Sequence, residues 1–129
     1  LSRQLRCPIL AAVVHDDDIL FLQLFENGEV TDGYDSAPGY FDADAEASAP
    51  DGGDAHRICA AFGTTNVSEV SSILRKSTYD DDGPVATDRH AQLVAALGLP
   101  PWAVGAGFGY IAEGGMPNGL SEAQLLKIQ

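Results

Sequence analysis

The chain has 129 residues, of which 45% are hydrophobic, and this length and composition are typical of one globular domain with its own core. Nineteen acidic residues against seven basic ones give a net charge of −12, which argues against nucleic acids and anionic membranes as partners. No apolar run is long enough to span a bilayer, and the first ten residues do not resemble a signal peptide.

The excess of acid has three interpretations that composition does not separate. It keeps a small domain in solution, it adapts the chain to high salt, or it forms a surface for a basic partner. The two cysteines, Cys7 and Cys59, lack CxxC spacing and are too few for a disulfide-stabilised protein. We therefore expect a cytoplasmic location and a buried, inert thiol at Cys59.

Three antiparallel strands are predicted at the start of the chain, over about 8–15, 19–26 and 29–35. The last two flank Asn27-Gly28, the dipeptide favoured in a type I′ hairpin turn because both of its central residues need a positive φ. The first strand is an apolar run, as expected of a strand that is covered on both faces.

Counting outward from this turn predicts which side chains share a face of the sheet. Phe25 would pair with Val30, and Phe21 with Tyr34. Because side chains alternate across a strand, these four residues are predicted to lie on one face. The other face would carry Leu20, Leu22 and Leu24.

A long connection follows over residues 36–53, and it contains the turn dipeptide Pro38-Gly39. At about 18 residues it is much longer than the usual ~4–6, and such loops are commonly functional or disordered. Tyr40 and Phe41 are its aromatic pair, which we expect to pack back onto the sheet edge. The rest of the loop is predicted to be mobile.

Helices are predicted over about 54–62, 67–76, 87–97 and 121–128. Asp54, Asn66 and Thr87 are the expected N-terminal caps of the first three. Gly98 follows the third helix and is followed by an apolar residue and a proline, which predicts a Schellman motif.

A later strand is predicted over about 102–111, where large and small residues alternate. Its small face includes Gly105 and Gly107. Because glycine weakens a strand, we expect something to approach closely there, either a helix, another backbone or a ligand.

The order of elements predicts an α+β fold, with an antiparallel sheet and helices packed mainly on one face. The whole chain, 1–129, is expected to form a single domain, with the loop over 36–53 as its mobile part.

Clusters of acidic residues are interpreted as solvated turns and not as metal sites. Residues 15–18 are adjacent in a tight turn, where neighbouring side chains rarely converge on one ion. Residues 80–82 and 42–46 lack the spacing of an EF-hand loop. No metal centre is predicted.

His90 is the histidine most open to a functional interpretation, since it lies on the apolar face of its helix. A packing role is favoured, because Asp88 is two positions away and does not face it. No nucleophile stands beside a base in a known motif, and the glycines of 105–109 do not have dinucleotide spacing. No catalytic residue and no cofactor are predicted.

These features favour a non-catalytic acidic domain that acts in protein interaction or regulation, with a protein partner or as a homo-oligomer. The alternative is a small-ligand-binding protein or a hydrolase-like enzyme with a cleft beside residues 102–111. The candidate interaction or ligand-binding residues are Tyr40, Phe41, His90, Gly105 and Gly107.

Overall fold

The computed structural model describes residues 1–79, 83–105, 107–116, 119, 121 and 123. The elements in chain order are α1 (Ser2–Leu5), β1 (Ile9–His15), β2 (Ile19–Glu26), β3 (Glu29–Asp35), β4 (Asp51–Gly52), α2 (Ala55–Phe62), α3 (Val67–Arg75), α4 (Ala86–Ala96), a 3₁₀ helix (Pro101–Ala103) and α5 (Phe108–Ala112).

The predicted α+β fold and its opening meander are confirmed. The four strands form one antiparallel sheet in the order β1-β2-β3-β4. Asn27 has φ 52° and Gly28 has φ 87°, so both central residues of the β2–β3 turn lie in the region that a type I′ turn requires.

The predicted register of β2 and β3 is correct next to the turn and wrong beyond it, because the ladder contains a β-bulge. Phe25 pairs with Val30 as predicted, but Leu24 pairs with Asp32, which leaves Thr31 as an extra residue on β3. The Thr31 hydroxyl donates a 2.6 Å hydrogen bond to the Glu26 carboxylate.

The bulge moves Tyr34 to the face opposite the predicted one. Phe21 pairs with Asp35 and not with Tyr34, which pairs with Leu22 instead. Tyr34 is therefore 4% exposed in the core, while Phe21 stays on the other face. The one-residue shift changes faces because side chains alternate along a strand.

One face of the sheet packs against α2, α3 and α4, as predicted. Leu20, Leu22 and Leu24 form its central row. The helices contribute Ile58, Cys59, Val70, Leu74, Leu93 and Leu97. Burial of these apolar side chains is the main stabilising contribution to the fold.

Arg89 of α4 lies in this core with none of its surface exposed. Its Nη1 donates to the Tyr34 hydroxyl (3.1 Å) and to the Ile73 carbonyl (2.7 Å), and its Nη2 donates to the Thr78 hydroxyl (3.2 Å). Its Nε has no partner among the described residues. Arg89 thus connects β3, α3 and α4 through uncharged acceptors.

Two of the predicted helix ends are confirmed. The Asp54 carboxylate accepts a 3.1 Å hydrogen bond from the Arg57 amide and caps α2. After α4, Gly98 has φ 68° and donates to the Ala95 carbonyl, and Leu99 donates to the Val94 carbonyl. This is the Schellman motif that the Gly-apolar-Pro order predicts.

The other two predicted caps do not form the expected side-chain hydrogen bonds. Asn66 is the N-cap residue of α3 as predicted, but its side-chain amide donates to the Ala96 carbonyl at 2.9 Å and its side chain does not cap the helix. Thr87 does not cap α4. The backbone amide of Thr87 donates to the Asp17 carboxylate at 2.8 Å, and the backbone amide of Ala86 donates to the Asp17 carbonyl at 2.9 Å.

The predicted strand over 102–111 is wrong. The described part of this stretch contains the 3₁₀ helix and the start of α5, and the fourth strand is instead Asp51–Gly52. Pro101 begins the 3₁₀ helix, and Gly105 has φ 75°, a left-handed conformation that interrupts an extended chain. The predicted helix over 121–128 lies outside the described residues, apart from 121 and 123. None of the described helices is both long and apolar enough to cross a bilayer.

Candidate functional site

The face of the sheet that the helices leave uncovered forms a broad groove of about 590 Å³. We call it the open face. Its side chains come from alternate positions on neighbouring strands, as the pleat requires. The residues that define it are Ala11, Val13, Phe21, Gln23, Gly33, Asp35 and Asp51.

An aromatic cluster stands at one end of the open face. The Phe41 ring stacks nearly parallel on Phe21, with centroids 6.5 Å apart and an interplanar angle of 9°. His15 and Tyr40 meet Phe41 edge-on, at 5.0 and 5.2 Å. Although it makes these contacts, Phe41 is 68% exposed, so most of its apolar surface remains available.

The start of the long loop places Tyr40 and Phe41 at this position. Ser36 binds the backbone of Leu20 twice, through its hydroxyl (2.8 Å) and its amide (3.1 Å). Gly39 then has φ 83°, as expected after Pro38, and the Tyr40 amide donates to the Ala37 carbonyl in the resulting turn. The two predicted interaction residues therefore pack beside the sheet, as expected.

Carboxylates surround the open face and its aromatic cluster. Asp35 and Asp51 line the groove, and the Asp18 carboxylate accepts a 2.7 Å hydrogen bond from the Tyr40 hydroxyl. That hydrogen bond raises the pKa of Tyr40, so the phenol stays protonated as the donor. The Asp16 side chain is 78% exposed. In the described part of the chain, no lysine or arginine forms an ion pair with any of these four.

A second concavity, which we call the His90 cleft, lies between β1, α4 and the segment after α4. It has a volume of about 510 Å³. His90 is 9% exposed within it, and burial lowers the pKa of its imidazole. Gly105 and Gly107 line the same cleft, so three of the predicted residues come together although the predicted strand is absent.

The His90 cleft provides a binding space and lacks a catalytic pair among the described residues. Thr87 and His90 are its polar side chains, one helical turn apart on α4. The remaining lining groups are apolar or glycine, and they include Leu10, Val14, Phe62, Val94 and Leu99. Cys59 lies in the core, where burial raises the pKa of its thiol and disfavours the nucleophilic thiolate.

Metal ligands do not converge within the described residues, where no three His, Cys, Asp or Glu side chains lie close enough to hold an ion. The acidic cluster at 80–82 is outside that part of the chain.

The sequence prediction missed three residues that contact Tyr40 or Phe41, namely His15, Asp18 and Phe21. The available signal was the alternation on β2, which placed Phe21 opposite the buried leucines. The contacts of His15 and Asp18 with the loop depend on how the loop folds back, and no local pattern encodes them.

Comparison of the chain with models of known protein families, with curated proteins and with solved structures gives no match. The functional argument therefore depends on the geometry of these two sites.

Proposed function

We propose that this chain is a non-catalytic protein-interaction domain whose open face binds an amphipathic, basic segment of a partner protein. The observation that carries the proposal is the exposed apolar surface of that face. Val13, which lines the groove, is 59% exposed, and Phe41, which stacks on the groove residue Phe21, is 68% exposed. Contiguous apolar surface of this kind commonly marks a protein-binding site.

The charges near the groove support a basic partner. Asp35 and Asp51 line it, and Asp16 is exposed beside the aromatic cluster. The whole chain adds a net charge of −12. A segment with lysines or arginines beside its apolar residues would be attracted to the groove and correctly oriented over it.

A helix is the occupant that we propose for the open face. The opposite face of the same sheet already packs against helices, so helix-on-sheet packing is compatible with the geometry of this sheet. An apolar stripe of the partner helix would lie over Val13, Phe21 and Phe41, with its basic side chains at the acidic rim.

The test uses two labelled peptides of helical period, one of leucine and lysine and one of leucine and glutamate, in fluorescence anisotropy titrations. We expect the lysine peptide to bind and the glutamate peptide not to bind. Phe41→Ala should weaken binding about tenfold, since truncating an exposed aromatic anchor typically costs about 1–2 kcal/mol.

Tyr110→Ala is the matched control, because Tyr110 is also an exposed aromatic residue (52%) and lies outside the open face. It should leave the affinity unchanged. Equal binding of both peptides, or an unchanged affinity in Phe41→Ala, would refute the proposal.

A second candidate function is the binding of a small, mainly apolar ligand in the His90 cleft. Its support is the convergence of His90, Gly105 and Gly107 on an apolar cavity. The two candidates are separable, because Phe41→Ala alters only the open face and His90→Ala alters only the cleft.

A further inference from the structure

Within the part of the chain that the structure describes, no strand pairs with the outer edge of β1. β1 is the first strand in the sheet order and has β2 as its only neighbour in the described part of the chain. Its seven residues, Ile9–His15, contain no proline, lysine, arginine or carboxylate. Natural proteins usually protect such edges with charges, prolines, bulges or a covering element, because a free edge is a template for another strand.

The backbone groups that point outward can be identified from Leu20. Its amide donates to the Ser36 hydroxyl and its carbonyl accepts from the Ser36 amide, so both point away from β1. Val14 lies directly opposite Leu20, which makes this a non-hydrogen-bonded pair. By the antiparallel alternation, Leu10, Ala12 and Val14 turn their N–H and C=O groups to the free edge.

We propose that this edge pairs with β1 of a second copy of the chain, antiparallel and centred on Ala12. A two-fold axis at Ala12 makes the edge self-complementary, because an isologous contact places the same patch on both copies. Ala12 then faces Ala12 of the second copy, and Leu10 faces Val14. Each of these pairs exchanges both backbone hydrogen bonds. The product is one continuous sheet with twice as many strands.

The charges at the two ends of β1 favour this arrangement and this occupant. Arg6 precedes the strand and is exposed, whereas Asp16 follows it and is 78% exposed. Antiparallel pairing brings Arg6 of each copy to the acidic turn of the other, while parallel pairing would bring like charges together. A uniformly basic strand from another protein would be repelled at the Arg6 end.

Sedimentation equilibrium over about 1 µM to 1 mM tests the proposal, because edge pairing buries a small area and predicts a weak, reversible dimer. Ala12→Pro removes one outward N–H and no bond to β2, and proline is tolerated on an edge strand. It should weaken the dimer at least about tenfold. Hydrogen exchange at Leu10, Ala12 and Val14 should slow as the concentration of the wild-type chain rises.

A charge exchange provides a test that does not depend on how well Ala12→Pro folds. Arg6→Glu should weaken the dimer about threefold to tenfold, because it turns attraction into repulsion. Asp16→Arg in the same chain should restore it. Phe41→Ala should leave the dimer unchanged, which separates this inference from the peptide-binding proposal.

Three results would overturn the pairing. One is a monomer at every concentration. Another is a dimer that neither Ala12→Pro nor Arg6→Glu weakens. The third is protection of the edge amides by an added basic peptide while the chain itself stays monomeric.

Discussion

His90 carries its imidazole in an environment that disfavours a positive charge. It is 9% exposed, and burial is the cause that lowers its pKa. The cleft around it is mainly apolar, and no carboxylate lines it among the described residues. A neutral imidazole there is suited to hydrogen bonding with a ligand, and it also makes the stability of the fold depend on pH.

We predict that the free energy of unfolding falls as the pH is lowered from 7.5 to 5.5. The unfolded chain binds a proton at His90 near the ordinary pKa of 6.5, whereas the folded chain binds it at a lower pH. Between these two pKa values only the unfolded state gains the proton. The contribution of the neutral His90 to stability is therefore fully present above pH 6.5 and is lost as the pH falls below it. The slope is at most about 1.4 kcal/mol per pH unit. Urea unfolding at several pH values measures it.

His90→Gln should remove this part of the pH dependence, whatever it does to absolute stability. His56→Gln is the control, since it removes an imidazole from an exposed position on α2, and the wild-type loss should persist. The interpretation fails if His90→Gln keeps the full slope.

Arg89 is also buried, but unlike the His90 imidazole its guanidinium cannot become neutral by losing a proton. Its charge must be stabilised by hydrogen bonds. Its three bonded acceptors are uncharged, and one of them, the Tyr34 hydroxyl, also donates to the Leu74 carbonyl at 2.9 Å. Burial raises the pKa of Tyr34, so this phenol remains a donor. The bulge at Thr31 is what makes this network possible, since it turns Tyr34 inward.

At the scale of elements, β4 is a two-residue strand whose pairing with β3 depends on the close approach of the Gly52 and Gly33 backbones. Gly52 has φ 67°, and a Cβ atom there would overlap the Gly33 carbonyl. The following Gly53 amide donates to the same carbonyl at 2.7 Å. Arg75 completes the attachment by hydrogen bonds to the carbonyls of Pro50, Gly52 and Gly53.

We predict that Gly52→Ala destabilises the protein by about 3 kcal/mol and separates β4 from β3. A left-handed alanine alone costs about 1–2 kcal/mol, and the overlap with Gly33 adds to that cost. Denaturant unfolding gives the stability, and faster hydrogen exchange at the Gly53 amide reports the lost pairing.

Gly63→Ala is a matched control for this change. Gly63 has φ 68°, almost the same as Gly52, but a Cβ atom there would meet nothing within 4 Å. It should cost only the conformational term of about 1–2 kcal/mol and leave the Gly53 amide protected. Equal losses in the two variants would show that the close approach contributes nothing.

The N-terminus of α4 is capped by a residue that is far away in the sequence. The Asp17 carboxylate accepts from Thr87, and this bonding lowers the pKa of Asp17. One member of the acidic turn is therefore a helix cap, while Asp16 beside it is exposed. The sequence predicts that the whole acidic turn is solvated, but one of its residues caps a helix and another is exposed to solvent.

At the scale of the whole molecule, self-repulsion opposes the compact state. The net charge is −12, and in the described part of the chain the only ion pairs are Arg57–Glu26 and His15–Asp16. At 0.1 M salt, repulsion between exposed charges that are more than about 10 Å apart is largely screened. We predict that raising NaCl from about 0.05 to 0.5 M increases the Tm by about 2–5 °C, measured by differential scanning calorimetry.

A variant with fewer loop charges should respond less to salt. Changing Asp42, Asp44 and Glu46 to Asn, Asn and Gln lowers the acid count from 19 to 16 and the net charge from −12 to −9. All three side chains are exposed, so the fold should be unaffected. A Tm that stays constant with salt in the wild-type chain would contradict the self-repulsion argument.

Features that depend on neighbouring residues could be predicted from the amino-acid sequence alone. Asn27-Gly28 specified the hairpin because few dipeptides adopt two positive φ angles. Asp54 and Gly98 specified helix ends because their partners lie within one helical turn. Two of the candidate residues, Tyr40 and Phe41, were found as the aromatic pair of a polar loop.

Long-range contacts of the folded chain set which face Tyr34 occupies, what caps α4 and where the glycines after Pro101 lie. Each of these outcomes is a competition between a local preference and burial against residues far along the chain. The alternation at 102–111 favoured a strand, but an extended strand also needs a neighbouring strand to pair with and a backbone without left-handed residues. Because such partners are available only once the chain has folded, no pattern within ten residues encodes them.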